Sequence, residues 1–252
     1  MTTPPRPDPA RGVFETLLVL GGRPVELDAH LTRAATSLAA IFDAELPSSA
    51  EKLVHKRAIG LPLGRLRLTV APTRDGLACD AVAAPVDPAI VFPGWDRGAE
   101  LHGLPCPGGL GPHKLVDRPG LPEGAGAAVP LLLEQDGEVL EAGRANIFAV
   151  REGTLVTPGA DGRILAGITR AAVLEIARQE DLAVEERPLQ LDELFDADEV
   201  FLTGSVRGIE PARSLDGTGL PASGRVGALI AAGLRQRYGT SRTAPAEASR
   251  RA

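Results

Sequence analysis

Cysteine is scarce in this 252-residue chain, and Cys79 and Cys106 provide neither a disulfide framework nor a Cys-x-x-Cys pair. The four histidines, His30, His55, His102 and His113, never occur as His-x-x-x-His, so neither residue type suggests a metal site. Aromatic residues make up 3% of the chain, and the formal charge is −6 with basic residues scattered along it. Little is available to build a stacking platform or a basic groove for nucleic acid. No stretch approaches the roughly 18 uncharged apolar residues of a membrane span. The opening Met1-Thr2-Thr3-Pro4-Pro5-Arg6 lacks a basic segment followed by an apolar one. Nucleic acid, membrane and secretion are therefore disfavoured, and a cytoplasmic location is expected. Lysine is scarce too: of 27 basic residues only Lys52, Lys56 and Lys114 are lysine. A chain that uses arginine almost everywhere invites the question of where an amine was needed, because an amine can lose its proton and attack a carbonyl while a guanidinium cannot.

Hydrophobic residues at 44% suffice for a sizeable core. Val13–Leu20, Gly21-Gly22 and Arg23–Leu27 read as two strands about a glycine turn. Asp28 is expected to cap a helix in which Leu31, Ala34 or Ala35, Leu38 and Phe42 form the apolar stripe. His30, Arg33 and Ser37 then share a second face. Arg65–Val70 and Leu77–Val82 form a hairpin about Thr73-Arg74-Asp75-Gly76, and glycine and proline dominate 103–112. The second half predicts strands near 129–134, 138–141, 146–150 and 154–158 in meander order, a helix from Gly167 through Ala177, strands near 182–184 and 199–203, and a last helix near 226–237. This mixture predicts an α+β fold. The expected division is a small α+β domain over 12–104, a connecting loop over 105–112, a larger cofactor-binding domain over 113–238, and flexible tails over 1–11 and 239–252.

Gly108-Gly109-Leu110-Gly111-Pro112-His113-Lys114 fails as a phosphate loop, because no Ser or Thr follows the lysine and Pro112 removes a backbone donor. Gly204-Ser205-Val206-Arg207-Gly208 misses the nucleophile elbow by one place. Lys52 and Lys56 fit a solvated helix face, whereas Lys114 stands apart. With it go a strand carboxylate, Glu141, a helix start at Gly167-Ile168-Thr169, a strand end at Thr203-Gly204-Ser205, and Arg33 on the first helix. These parts suit an anionic cofactor with an electrophilic carbonyl: helix N–H groups, hydroxyls and the arginine fork for a phosphate, and the amine for the carbonyl.

Gly12-Val13-Phe14-Glu15-Thr16, His30-Leu31-Thr32-Arg33, Lys114-Leu115-Val116-Asp117-Arg118, Glu141-Ala142-Gly143-Arg144-Ala145-Asn146-Ile147-Phe148, Thr157-Pro158, Ile164-Leu165-Ala166-Gly167-Ile168-Thr169-Arg170 and Phe201-Leu202-Thr203-Gly204-Ser205 follow one another along the chain. Their order resembles the motif order of class IV aminotransferases, the fold-type IV pyridoxal-phosphate enzymes. The resemblance implies a two-domain α+β fold like that of D-amino-acid aminotransferase, pyridoxal 5'-phosphate as cofactor, a small amino compound as substrate, and a homodimer. It implies that Lys114 holds the cofactor and moves protons, that Glu141 pairs with its pyridine nitrogen, and that Arg33, the N–H groups of Ile168 and Thr169, and Ser205 hold its phosphate. Thr16, the third residue of Phe-Glu-Thr, resembles the threonine of aminodeoxychorismate lyases and is expected to assist proton transfer. The function implied is 4-amino-4-deoxychorismate lyase, giving 4-aminobenzoate and pyruvate. The alternatives are an aminotransferase for D- or branched-chain amino acids and a catalytically silent homologue with a binding role. Two departures bear on the substrate side: the family's usual strand with its Asn-Gly turn is not found before Gly12, and Gly and Pro fill 119–126 where a helix is expected. Arg118, Arg144 and Arg207 all remain candidates for the substrate's carboxylate.

Overall fold

A computed structural model describes residues 6–118, 121 and 128–239. The Pro- and Gly-rich stretch expected to replace a helix, apart from Leu121, residues 1–5 of the first expected tail and all of the second but Gly239 lie outside them. Alternation sets the first layer. β1 (Val13–Leu20) pairs with the two-residue β2 (Arg23–Pro24) and with β3 (Leu63–Thr73), and β3 pairs with β4 (Gly76–Pro85), giving the antiparallel order β2-β1-β3-β4. α1 (Leu27–Phe42) and α2 (Ala50–Ala58) cover one face, where Val13, Leu17, Val19, Leu38, Val54, Leu66 and Leu68 form a core. On β1 the opposite face carries Phe14, Thr16 and Leu18, and Leu18 packs into the second half of the molecule. α1 begins at Leu27 with Glu26 as its N-cap, so Asp28 lies inside the first turn and does not cap it. The expected tail before Gly12 is partly ordered. Asp8 accepts from Ala10 N to cap a 3-10 turn over Pro9–Arg11, and Asp8 N donates to Asp117 at 3.0 Å.

The second layer is a mixed sheet of β5 (Ala99–Pro105), β6 (Val129–Leu133), β7 (Glu138–Ala142), β8 (Asn146–Arg151), β9 (Thr154–Thr157), β10 (Val184–Glu186), β11 (Leu189–Gln190), β12 (Glu199–Gly204), β13 (Gly208–Leu215) and β14 (Thr218–Gly219). Its order is β10-β9-β8-β12-β13-β5-β6-β7-β11, with β14 on β13. α3 (Ile168–Gln179) and α4 (Arg225–Tyr238) pack on it through Phe148, Phe201, Val173, Ile176, Ile230 and Leu234. No helix among the described residues is long and apolar enough to cross a membrane.

Two sequence expectations shift. β5 pairs in parallel with β13 and β6, so the chain enters the larger sheet at Ala99, before the boundary expected after 104. The Gly- and Pro-rich composition marks where β5 ends, whereas the crossing strand before it is fixed by distant parallel pairing. The meander is also broken once: β7 and β8 meet only at the Ala142–Ala145 bridge, and each then continues into a different pairing. That tight turn places the end of β7 and the start of β8 on the wall of a cleft.

Candidate active site

Lys114 reaches the cleft because its segment docks on the first residues of β1. Phe14 N donates to Lys114 O and Val116 N to Gly12 O, both at 2.9 Å, and Val13 bridges Leu115. Gly12 has φ +90°, and a side chain there would overlap Val70 O, so this docking needs glycine. Lys114 Nζ stands 4.9 Å from the centroid of the Phe14 ring. Burial, with the guanidinium groups of Arg118 and Arg33 adding to it, pushes the amine down to about 7. Near neutral pH a large share of this amine is therefore unprotonated and nucleophilic.

Glu141, on β7, is 3% exposed. Its Oε2 accepts from Leu165 N at 3.3 Å, and its Oε1 is buried with no hydrogen-bond partner among the described residues. Burial pushes its carboxyl up to about 7. Thr203, at the end of β12, likewise buries a hydroxyl without a partner. Asn146 opens β8 and donates from Nδ2 to Leu165 O at 2.9 Å, which holds the Ile164–Gly167 strand of chain against the cleft. A side chain on Gly167 would overlap Asn146 Oδ1. Gly167 is the extended N-cap of α3 and makes no side-chain cap bond, so the first-turn N–H groups of Ile168 and Thr169 stay available at the positive end of the helix.

Arg33 faces the cleft from α1, and Glu15 of β1 holds it. Arg33 donates from Nε and Nη2 to Glu15 at 2.9 and 2.6 Å, and from Nη1 to Ala166 O at 3.1 Å. Of its five N–H groups two remain free of these contacts. His30 Nδ1 lies 2.7 Å from Glu15 Oε2, with both side chains at most 2% exposed. Burial alone would raise the Glu15 carboxyl, but hydrogen bonds from His30 and Arg33 outweigh it and hold the group at about 2. One turn on, Ser37 Oγ meets His113 Nδ1 at 3.0 Å, beside Lys114. The second helix face read from the sequence is thus turned inward.

Lys114, Glu141, Arg33, Ile168, Thr169 and Ser205 all line one cleft, together with Arg118, Asn146, Thr203 and the 142–145 turn. Thr16 is half-buried on the Phe14 face of β1 and is not among the residues that line the cleft. Glu15, His30, Asn146 and Thr203 were quoted in motifs without a role. Glu15 had a readable signal, being the one acid on a strand face otherwise made of Val13, Leu17 and Val19, where burial demands a cationic partner.

The chain's likenesses bear on this geometry. Residues 123–215 match the family model described as amino-transferase class IV. A probable branched-chain-amino-acid aminotransferase of Thermotoga maritima is 45% identical over 86 residues, 34% of this chain and 32% of that protein. The chain thus matches about a third of the length of that curated relative. The solved 4-amino-4-deoxychorismate lyase of Pseudomonas aeruginosa is 27% identical, covering 94% of this chain and 95% of that one, with a TM-score of 0.71. The PLP-bound form of a hypothetical aminotransferase from Mycobacterium tuberculosis shares the fold at 22% identity, with coverage of 96% and 95% and a TM-score of 0.74. The matched segment carries Glu141, Asn146, the start of α3 and Ser205, so the part of the chain that carries these cleft residues is the part that resembles class IV amino-transferases, and the fold around it is shared with the solved lyase over nearly the whole chain.

Proposed function

We propose that this chain is a pyridoxal-phosphate-dependent enzyme and, within that class, a 4-amino-4-deoxychorismate lyase that works as a homodimer. The carrying observation is the pairing in one cleft of a lysine amine pushed down to about 7 with a buried carboxylate oxygen that has no hydrogen-bond partner among the described residues. An orphaned buried acceptor is costly to leave unmet, and a protonated pyridine nitrogen is a donor that suits it. When bound, the cofactor supplies an electron sink for the reacting carbon.

The chain's own residues would do the rest. Lys114 would hold the cofactor through its amine and, once released, move the proton at the carbon bearing the substrate's nitrogen. Glu141 would keep a proton on the pyridine nitrogen by meeting it with Oε1. The two free N–H groups of Arg33, the N–H groups of Ile168 and Thr169, and the Ser205 hydroxyl would hold the phosphate. Asn146 would act only by fixing the chain that carries Ile168 and Thr169.

The lyase is placed first on the Phe14-Glu15-Thr16 motif and on the whole-chain likeness to a lyase at 27% identity. The aminotransferase reading is favoured by the 45% identity over 86 residues to a branched-chain enzyme. Incubation of the cofactor-loaded protein with 4-amino-4-deoxychorismate, without any oxo-acid, separates them. Equal amounts of 4-aminobenzoate and pyruvate are expected. No aromatic product, with oxo-acid-dependent turnover of a branched-chain or D-amino acid, assigns the aminotransferase. Failure of both reactions leaves the silent homologue.

A further inference from the structure

Arg118, Arg144 and Arg207 differ in their partners. Arg144 clasps Glu210 with both Nη atoms, at 2.8 and 3.1 Å, and Arg207 Nη1 reaches the same carboxylate at 2.9 Å. Two guanidinium groups thus share one buried carboxylate, and each already spends donors on it. Arg118 lines the cleft beside Lys114 and Glu141, and Nη1 donates to Gly143 O at 2.9 Å. No carboxylate of the described residues lies within ion-pair distance of it. Its Cζ is 5.9 Å from the centroid of the Phe14 ring, the same ring that Lys114 Nζ approaches at 4.9 Å, so the two cations flank one aromatic side chain. Burial pushes the Arg118 guanidinium down from its ordinary value, the direction a bound anion reverses.

A guanidinium held in a cleft by one carbonyl keeps most of its donors unspent, and its planar fork matches the two oxygens of a carboxylate. We propose that Arg118 is the residue that grips a carboxylate of the substrate. This rests on the reading of the cleft as a pyridoxal-phosphate site. The other anion available to Arg118 is an oxygen of the cofactor itself, and the test separates the two.

Pyruvate is the probe, because it is a product of the lyase and an oxo-acid acceptor for an aminotransferase. Its Kd is measured by calorimetry on the protein loaded with pyridoxal phosphate, with loading read from cofactor absorbance and the borohydride adduct on Lys114. Arg118→Gln is expected to weaken pyruvate binding about tenfold or more with loading unchanged, and Arg144→Gln to change it less than about threefold. Wild-type affinity in Arg118→Gln overturns the proposal. So does a loss of cofactor that accounts for the change, since Arg118 then serves the cofactor's oxygen, and so does a loaded wild type that binds no pyruvate. Should Arg118→Gln fail to fold, Arg118→Lys keeps a donor for Gly143 O without the fork; affinity weakened severalfold supports the assignment, and wild-type affinity overturns it. A wild type that takes up no cofactor and gives no Lys114 adduct brings down the underlying reading, and is recognised before any pyruvate is added.

Discussion

Two groups of charged residues meet at the cleft, one from β1 and α1 that reaches it through Arg33 and the other from β7 and the Lys114 segment. In the first, the Glu15 carboxylate accepts from His30 and twice from Arg33, and its acidity stays at about 2 in spite of burial. In the second, Glu141 is equally hidden but has one weak backbone donor at 3.3 Å and an empty second oxygen, and its carboxyl rises to about 7. Burial is the same in both; partners decide the outcome. A satisfied buried network is a frame, whereas an unsatisfied one in a cleft is a place where something is meant to be bound.

Removing a partner from the frame should have the largest effect on stability. Glu15→Ala strands His30 and Arg33 and is expected to cost about 3–5 kcal/mol in urea unfolding, the range for breaking a buried charged pair. Because the folded carboxyl is depressed, Glu15 stabilises the fold above its ordinary value of 4.5, and this contribution is lost as pH falls through about 2. The gap between wild type and Glu15→Ala should therefore close between those two values. An unchanged gap at the acid end would mean that the pair contributes by shape alone.

The orphaned group should behave oppositely. Glu141 has a raised folded value, so its contribution is fully present below 4.5 and is lost as pH rises through about 7. Glu141→Gln is thus expected to stabilise the cofactor-free protein by about 1–3 kcal/mol at pH 8 and to slow turnover of the loaded enzyme. A lower melting temperature at that pH would break the contrast between the clusters. Smallest of all, Thr16→Val should change kcat less than tenfold, as expected for a residue outside the cleft wall; a larger loss would bring Thr16 into the chemistry.

Much of this was legible in the sequence. Lys114, Glu141, Arg33, Ile168, Thr169 and Ser205 come from five separate segments and converge on one cleft, because motif spacing carries the pairing of strands that brings them together. The hairpins and the helices α3 and α4 followed from alternation, turn residues and a 3.6-residue period. What was not legible depends on contacts between distant segments. β5 joins the larger sheet through parallel partners more than 20 residues away, and composition does not encode that choice. Whether Arg118 or Arg144 is free depends on Glu210, which is local to Arg207 but 66 residues from Arg144 and farther still from Arg118. Asn146 matters through the one carbonyl it holds, at Leu165, a distance no motif states.

The central claim is that the Lys114 amine and the Glu141 carboxylate make one cofactor site. Its most direct test is reduction of the protein with borohydride after incubation with pyridoxal phosphate, followed by mass-spectrometric mapping of the modified peptide. A pyridoxyl group confined to Lys114, and much reduced in Glu141→Gln, is the predicted result. Modification spread over Lys52, Lys56 and Lys114 alike, or none at all, would contradict the account.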